Sequence, residues 1–313
     1  MSTSDMGTAS IVVVGSSNTD MIIRLSRIPR PGETILGGRF LTAAGGKGAN
    51  QAVGAARAGG KVAFIARVGK DVFGDQAVAG LRRDGIDVRK VFRDAAAPSG
   101  VALIFVAEDG ENSIAVAGGA NARLSSADVR QAGALIRSAA VLLAQLETPL
   151  AAVRTAAELA VRAGVPVILN PAPARALPDS LLRLISIITP NETEAELLTG
   201  IEITDEAAAA KASQALLLRG ARAVILTLGA RGAFLADGKR AQLVPGFRIK
   251  ARDTTAAGDI FNGALAVALA EGQELPDAVR FANAAAALSV ARLGAQPSAP
   301  TRLEIERLLQ RCE

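Results

Sequence analysis

The sequence of 313 residues contains no histidine, no tryptophan and no tyrosine, and its single cysteine is Cys312. Without histidine, the chain has no Ser-His-Asp triad, no Cys-His pair and no histidine general base. One cysteine without histidine also excludes a Cys/His zinc site within one chain. Proton transfer therefore falls to Asp, Glu, Lys or water, and any bound metal is expected to be a hard cation held by oxygen ligands.

Aromatic residues make up only 3% of the chain, and the net charge is +5 with no long run of Lys or Arg. This pattern indicates a solubility role for the charge and no nucleic-acid partner. No apolar run approaches the roughly 18 residues of a membrane span. Residues 1–10 are polar, lack a secretory pattern and are expected to form a flexible N-terminal segment. A lone cysteine favours a reducing compartment, so the protein is expected to be cytoplasmic.

Apolar, β-rich runs alternate with helical stretches from residue 11 onward. Such alternation predicts a mostly parallel sheet covered on both faces, in one α/β domain over residues 11–313. A stretch at 21–40 breaks the alternation because it mixes polar and apolar residues without a helical period. Together with a predicted hairpin at 101–116, it indicates β structure outside the main sheet, such as a flap.

Individual elements are also predicted from local signals. Ser125 or Ser126 is expected to cap one helix that runs to about residue 139. Residues 184–188 are predicted to form a strand, and 258–270 an apolar helix.

Polar side chains follow several predicted strands at their carboxyl ends, where open α/β sheets bind ligands. These side chains are Asn18, Asp20, Gln145, Glu147, Asn170, Asn191 and Thr227. They are candidates for a ligand site at one edge of the sheet.

The segment 45–51, Gly-Gly-Lys-Gly-Ala-Asn-Gln, opens a predicted helix. It is not a P-loop, since Gly48 stands where Ser or Thr is needed, and it is not a dinucleotide fingerprint, since Gln51 stands where Gly is needed. Its glycines would let the backbone approach a small ligand, and Lys47 and Asn50 would then bind hydroxyls. The alternative is a glycine-rich helix entry with a solvated lysine.

The segment 253–259, Asp-Thr-Thr-Ala-Ala-Gly-Asp, leads into the predicted apolar helix. Small residues at a helix start expose free N–H groups, which suit a phosphoryl group in transfer. Asp259 would lie in the first turn, where a carboxylate can accept a proton from an attacking hydroxyl. On this segment alone, an Asp that only complements the helix dipole is an equal alternative.

Two further segments have both a structural and a functional interpretation. In 189–196, the acidic residues at a helix start usually complement the dipole, and the alternative is organisation of Mg²⁺ by Asn191 and Glu194. The segment 227–232, Thr-Leu-Gly-Ala-Arg-Gly, is either a turn between strands or a loop whose backbone and threonine hydroxyl face polyphosphate.

Taken together and in this order, these segments resemble the PfkB carbohydrate kinase family. The segment 253–259 is similar to the family's C-terminal signature, and 45–51 to its N-terminal one. Further matching segments are found at 14–20, 31–34, 170–175, 188–196, 261–265 and 294–298, so the resemblance covers about residues 10–310.

The resemblance implies ATP-dependent phosphorylation of D-ribose at O5. It implies a three-layer α/β/α sandwich with a small β-sheet lid at about 21–42 and 100–118, which also joins two subunits into a homodimer. The nearest alternative is a sister kinase for deoxyribose, fructose, a keto-deoxy sugar acid or a nucleoside. A non-catalytic sugar-binding regulator on the same fold is a second class, and an oxidoreductase fails for lack of a dinucleotide fingerprint.

The resemblance also implies residue roles. The sugar would be bound by Asn18, Asp20, Gly46, Lys47, Gly48, Asn50 and Glu147. Asp259 would be the catalytic base, with an anion hole formed by Ala256, Ala257 and Gly258. The nucleotide would be bound by Asn191, Thr227, Gly229, Ala230, Arg231, Gly232, Gly258 and Asn283.

Two cations are implied in the same way. Glu194 would lie near Mg²⁺. A monovalent-cation loop for K⁺ would use Asp253, Thr255, Ser289, Arg292, Gly294 and Ser298, several of them through carbonyls.

The sequence departs from the family pattern at three positions. Asn283 stands where well-known members have a histidine near adenine, and an amide is expected to bond or pack there instead. Ile260 replaces a usual threonine after the base, and Thr255 replaces a usual aliphatic residue. Because Thr255 would act through its carbonyl, the cation site is expected to survive.

Overall fold

The computed structural model describes residues 11–311, so the predicted flexible segment 1–10 and Cys312 lie outside the described residues. The strands are β1 Ile11–Val14, β2 Asn18–Leu25, β3 Arg39–Gly45, β4 Val62–Gly69, β5 Asp87–Asp94, β6 Gly100–Ala107, β7 Asn112–Ala117, β8 Val141–Ala144, β9 Val167–Leu169, β10 Ile187–Ile188, β11 Ala223–Thr227, β12 Gly232–Asp237 and β13 Ala241–Pro245. The helices are α1 Lys47–Arg57, α2 Val72–Arg83, α3 Ser126–Gln131, α4 Gly133–Arg137, α5 Leu150–Arg162, α6 Asp179–Leu182, α7 Glu192–Thr199, α8 Glu206–Leu218, α9 Ala257–Ala270, α10 Leu275–Ser289 and α11 Arg302–Gln310.

The main sheet has nine strands in the order β13-β12-β11-β10-β9-β8-β1-β4-β5. Pairing is parallel from β11 to β5, and β12 and β13 add an antiparallel edge. The inner strands β1 and β8 are continuous apolar runs with every residue buried. Such runs are stable only where helices cover both faces of a sheet, as predicted.

Helices cover both faces of this sheet. Alternate residues of β1 enter different cores, because successive side chains of a strand point to opposite faces. Val13 and Phe64 pack with α1, α2, α9, α10 and α11, while Val12 and Ile65 pack with residues of α3 to α8. The predicted three-layer α/β/α sandwich is therefore confirmed.

A separate four-stranded sheet, which we call the lid, has the order β3-β2-β6-β7. β2 pairs antiparallel with β3 and parallel with β6, and β7 closes the predicted hairpin with β6. The lid strands begin at Asn18 and extend to Gly45, so they reach further than the predicted boundary of 21–42. Several large apolar side chains on the lid are exposed: Phe40, Leu103, Ile114 and Val116.

Three element predictions were wrong in detail. The single helix predicted to residue 139 is divided into α3 and α4 at Ala132, and the strand predicted at 184–188 is only Ile187–Ile188. Strand β5 was not predicted. A register shift where it pairs with β4 breaks the alternation, so the buried residues Val88 and Val91 are three positions apart.

Within residues 11–311, no helix combines the length and the apolarity needed to cross a membrane.

Candidate active site

The carboxyl ends of β1, β8, β9, β10 and β11 meet at one edge of the main sheet, and helices α1, α7 and α9 begin beside that edge. The isolated bridge between Asn191 and Thr227 joins the ends of two of these segments. Asn170 accepts a bond from Gln51 of α1 and donates to the carbonyl of Thr189. The polar side chains predicted at strand ends are therefore gathered in one region, as open α/β sheets require.

Asp259 lies in the first turn of α9 and is only 6% exposed. Its Oδ2 accepts a hydrogen bond from Asn50 Nδ2 at 3.0 Å, and its Oδ1 accepts one from Gln51 Nε2 at 3.0 Å. Burial raises the pKa of Asp259, while the nearby Lys47 ammonium and the two amide donors offset part of that rise. The two motifs predicted from sequence, at 45–51 and 253–259, are thus in direct contact.

The glycines of 45–51 fit α1 closely against the strand connection that follows β1. Gly46 caps α1 with φ 87°, and a Cβ there would lie 2.7 Å from the backbone nitrogen of Asn18. A Cβ at Gly48 would lie 2.5 Å from the backbone nitrogen of Ser16. Both positions therefore require glycine for packing, whether or not a ligand is bound.

Three carboxylates occupy the end of the site beneath the lid: Asp20, Glu147 and Asp259. Glu147 is held by Ser16, whose Oγ donates to Oε2 at 2.5 Å, and by the backbone N–H of Lys47 at 3.0 Å. Burial, followed by the negative charges of Glu147 and Asp259, raises the pKa of Asp20 to about 6. Grouped carboxylates are suited to accepting hydrogen bonds from the hydroxyls of a polyol.

A cavity of about 440 Å³ lies beside the start of α9, and Ala257, Gly258 and Phe261 of this helix line it. Its lining includes seven of the predicted nucleotide residues: Asn191, Thr227, Gly229, Ala230, Gly232, Gly258 and Asn283. Arg231 is not part of this lining, but its guanidinium pairs at 2.5 Å with Glu192, which is.

One wall of this cavity was not predicted. Phe247, Ile249, Ala286 and Val290 give it an apolar surface suited to a flat ring. Phe247 and Ile249 lie in a segment without regular structure and carry no motif, so the sequence offered no signal for them.

Asn283 has a different main role from the one expected near a nucleotide base. Its Nδ2 donates to the carbonyls of Val244 at 3.0 Å and Pro245 at 3.2 Å, which ties α10 to the end of β13. Both amide hydrogens are therefore used by the fold, and only Oδ1 is left for the predicted contact with a base.

The start of α9 has an unusual backbone. Ala256, its N-cap, has φ 60°, the only positive φ of a non-glycine residue within 11–311. Such a conformation costs about 1 kcal/mol or more and persists where the surroundings impose it. The N–H of Ala257 donates to the carbonyl of Thr254 at 3.2 Å. Those of Gly258 and Asp259 lie in the first turn, where the helix itself offers no acceptor, and can face an anion.

The predicted Mg²⁺ residues form a reciprocal capping box. The backbone N–H of Glu194 donates to Asn191 Oδ1 at 2.7 Å, and that of Asn191 donates to Glu194 Oε2 at 2.9 Å. Burial also raises the pKa of Glu194. No cluster of three or more acidic or cysteine side chains that could hold a metal ion by itself is found in the described part of the chain.

The predicted monovalent-cation loop is assembled around Asp253. Its carboxylate accepts from the backbone N–H of Thr255 at 2.9 Å and of Gly294 at 2.8 Å, which joins two segments of the loop. The Ser289 and Ser298 hydroxyls donate to nearby backbone carbonyls. The Arg292 guanidinium pairs with Glu304 at 2.5 Å. Because a guanidinium has no acceptor, Arg292 could hold a cation only through its carbonyl.

The chain matches the family described as "pfkB family carbohydrate kinase" over residues 8–302. It belongs to the pfkB family of carbohydrate kinases. It is 48% identical to a ribokinase of Haemophilus influenzae over 96% of this chain and 98% of that protein. It is 37% identical to a deoxyribokinase of Salmonella typhimurium over 93% and 95%. The structure of Arabidopsis thaliana ribokinase complexed with ribose and ATP matches with a TM-score of 0.91 at 35% identity, over 97% and 99%.

One buried amide of this carbohydrate kinase, that of Gln51, was not predicted as a site residue. Gln51 is fully buried, and besides its bonds to Asp259 and Asn170 its Oε1 accepts from Gln145 Nε2 at 2.5 Å. A chain of amides therefore runs from the end of β8 to the candidate base. Gln51 lay inside the glycine motif, but its partners are about 100 or more positions away in the sequence, so nothing local identified them.

The raised pKa of Asp20 predicts a pH-dependent gain in stability for Asp20→Asn. The folded protein holds this proton up to about pH 6, whereas the unfolded chain releases it near 3.8. Ionisation of Asp20 therefore does not lower the free energy of unfolding below about pH 4. The loss of stability grows between about pH 4 and about pH 6 and stays constant at higher pH. Urea denaturation should show that the gain from Asp20→Asn increases between about pH 5 and about pH 7.5, to at most ~3 kcal/mol.

The control for this experiment is Asp205→Asn, because Asp205 caps α8 outside the acidic cluster and Asn is an equally good cap. Its effect on the free energy of unfolding should not grow over the same pH interval. An Asp20→Asn gain of equal size at both pH values would contradict the prediction.

Proposed function

We propose that this chain transfers the γ-phosphoryl group of ATP to O5 of D-ribose, forming ribose 5-phosphate and ADP. The observation that carries the proposal is the position of Asp259. This buried carboxylate lies at the start of α9, between the carboxylates under the lid and the nucleotide-sized cavity. The identity to a protein named ribokinase over nearly the whole of both chains supports D-ribose as the sugar.

Asp259 is proposed as the general base. It accepts the proton of the sugar hydroxyl as that oxygen forms a bond to the γ-phosphorus, and the bond to the bridging oxygen of ADP breaks. Its pKa is raised by burial, so it holds a proton more strongly than an ordinary Asp does. The donors Asn50 and Gln51 fix the plane of the carboxylate before the sugar arrives.

The start of α9 is proposed to stabilise the group in transfer. The donors would be the N–H groups of Gly258 and Asp259 in the first turn, where the helix dipole also favours negative charge. Because these donors are fixed by the backbone, little reorganisation is needed when charge develops on the phosphoryl oxygens.

The sugar is proposed to bind under the lid through Asn18, Asp20, Lys47, Asn50 and Glu147. Asn50 Oδ1 is buried and has no hydrogen-bond partner among residues 11–311, although Nδ2 of the same amide donates to Asp259. A buried acceptor without a partner costs about 1–3 kcal/mol. A sugar hydroxyl that donates to Asn50 Oδ1 would remove that cost and would lie directly beside the base.

Mg²⁺ and K⁺ are proposed as cofactors. Mg²⁺ is usually held by one or two carboxylates together with phosphate and water, and the buried Glu194 is a carboxylate of this kind. When bound, Mg²⁺ supplies positive charge to the phosphate oxygens. K⁺ would be held by oxygens of the loop that Asp253 assembles, whose residues are Asp253, Thr255, Ser289, Arg292, Gly294 and Ser298.

The 37% identity to a deoxyribokinase favours a sister kinase for deoxyribose as the second candidate function. The two candidates differ by one hydroxyl, so relative turnover on the two sugars decides between them.

We propose the cytoplasm as the location, since a chain with a single cysteine is suited to a reducing compartment. We further propose a homodimer formed through the lid. Ile114 and Val116 are each 57% exposed and lie two residues apart on one face of this small sheet, and exposed apolar patches usually mark an interface.

ADP release measured with D-ribose, MgATP and K⁺ tests the function directly. Asp259→Asn removes the base but keeps size and hydrogen-bonding capacity, so turnover should fall by about 10²–10⁴-fold while sugar binding by calorimetry is kept. Asp205→Asn, at an exposed cap, should leave turnover unchanged. A good rate on another sugar with none on D-ribose, or an Asp259→Asn variant with more than about a tenth of the wild-type rate, would contradict the proposal.

Gln51→Met tests whether the amide chain tunes the base. Met has a similar volume, but it removes the donor to Asp259, so the pKa of Asp259 should rise further. The acidic limb of the kcat/KM profile should move to higher pH by roughly one pH unit. Gln145→Met, which removes only the outer bond of the chain, should move it less. If the Gln51→Met enzyme folds and the acidic limb of its kcat/KM profile does not move, Gln51 does not tune the pKa of Asp259.

Ile114→Glu tests the lid dimer. A charge at this exposed lid position would be buried in the interface without a partner, so the dimer should dissociate. Light scattering after size exclusion should report the monomer mass. Leu218→Glu, a matched change at a 78% exposed position of α8, should leave the dimer intact. A wild-type monomer, or a dimer that persists in Ile114→Glu, would argue against the lid interface.

A further inference from the structure

Asn121 lies in a turn of 3₁₀ helix, Gly119–Arg123, that follows the last lid strand, and it is 1% exposed. Its Oδ1 accepts from the backbone N–H of Ser17 at 2.9 Å, and its Nδ2 donates to the carbonyl of Ser17 at 3.1 Å. An N–H group can only donate and a carbonyl can only accept. These two bonds therefore fix which end of the Asn121 amide is nitrogen.

The orientation of Asn121 determines the orientation of Asn18. Nδ2 of Asn121 also donates to Asn18 Oδ1 at 2.7 Å. A reversed Asn18 amide would set N–H against N–H, so Asn18 must turn its oxygen toward Asn121. Its own Nδ2 makes no hydrogen bond with any group of residues 11–311 and is left for a ligand.

Gly100 provides independent evidence that this contact is built into the lid. It pairs with Asn18 in the register of β2 and β6. A Cβ at Gly100 would collide with both Asn18 Oδ1 and Asn121 Nδ2. The bond between the two amides thus passes through the space that any other residue at this position would fill.

Asp20 lies two residues after Asn18 on the same strand, so both side chains point to the same face of the lid. Asn18 presents a donor, and Asp20, when ionised, presents only acceptors. One hydroxyl can accept from the first and donate to the second. A sugar without that hydroxyl would leave both groups unpaired in a partly buried site, which is a strong basis for discrimination.

We propose that Asn121 is a positioning residue for sugar selection, which holds the Asn18 amide with its N–H toward the sugar. The proposal rests on the proposed sugar kinase function and adds a residue that does not itself touch the sugar. Selection of the sugar would depend on the orientation of the Asn18 amide. The backbone of Ser17 fixes the Asn121 amide, and the Asn121 amide in turn fixes that of Asn18.

The test is Asn121→Asp, assayed with D-ribose, 2-deoxy-D-ribose and 3-deoxy-D-ribose. The introduced carboxylate keeps the acceptor for Ser17 N–H but cannot donate, so Asn18 should reverse its amide and present oxygen to the sugar. KM for D-ribose should rise about 10- to 100-fold with KM for ATP unchanged. The preference for D-ribose over the deoxy sugar that lacks the contacted hydroxyl should fall by a similar factor. Equal losses on all three sugars would overturn the proposal.

Three further variants separate positioning from general damage. In an Asn18→Ala background, Asn121→Asp should have no further effect on sugar preference, because its effect passes through Asn18. Gly100→Ala displaces the same bond without changing either amide and should reproduce the loss of preference, and it carries the test if Asn121→Asp does not fold. Asp205→Ala, which removes the cap of α8, should lower the melting temperature and leave the preference unchanged.

Turnover of the wild-type enzyme on D-ribose tests the proposed function by itself. If another sugar is the better substrate, the same variants are assayed on that sugar and its deoxy analogues. The inference is overturned where preference among matched sugars does not change in Asn121→Asp, or in Gly100→Ala if Asn121→Asp does not fold.

Discussion

The contact between the starts of α1 and α9 is the interaction on which the site depends. It consists of the Asn50 and Gln51 amides on the two oxygens of the Asp259 carboxylate, and all three groups are buried. An ionised carboxylate in such a place is tolerated because both oxygens are hydrogen-bonded. The glycines at 46 and 48 bring α1 close to the strand connection beside it. A loss of this packing would therefore remove the sugar contacts and disturb the base together.

The site concentrates unfavourable electrostatics at one place. Asp20, Glu147 and Asp259 repel one another, and Asn50 Oδ1 has no partner within the described part of the chain. Hydroxyl donors would satisfy these acceptors, and cations with phosphate would balance the charge on the nucleotide side. The site is thus less stable without ligands than with them, a common property of functional sites. The rigid sandwich around it, with fully buried strands such as β1, makes this arrangement possible.

Sequence reasoning succeeded where local pattern determines structure. The continuous apolar runs predicted the covered parallel sheet, the irregular stretch at 21–40 predicted the lid, and the segments 45–51 and 253–259 predicted two helix starts that meet. It missed β5, where a register shift hides the alternation, and it missed Gln51, Asn121 and Phe247. Their partners are distant in the chain or carry no motif, so only the folded structure identifies them. The pairing of Arg231 with Glu192 could not be predicted either, because the position of a residue in a loop does not reveal its partner.

The chain path from β1 to β2 has a consequence for how this kinase can diverge. Strand β1 belongs to the rigid sheet and β2 to the lid, and only three residues separate them. Asn18 and Asp20 therefore belong to the lid, whereas Lys47, Asn50, Glu147, Asp259 and the nucleotide cavity belong to the sandwich. In the proposed function, both parts of the molecule thus contact the sugar, and the chemistry of transfer belongs to the sandwich alone. Substitutions at Asn18 and Asp20 are then expected to change the accepted sugar while the proposed base and the nucleotide cavity stay as they are, which would give one fold access to several substrates.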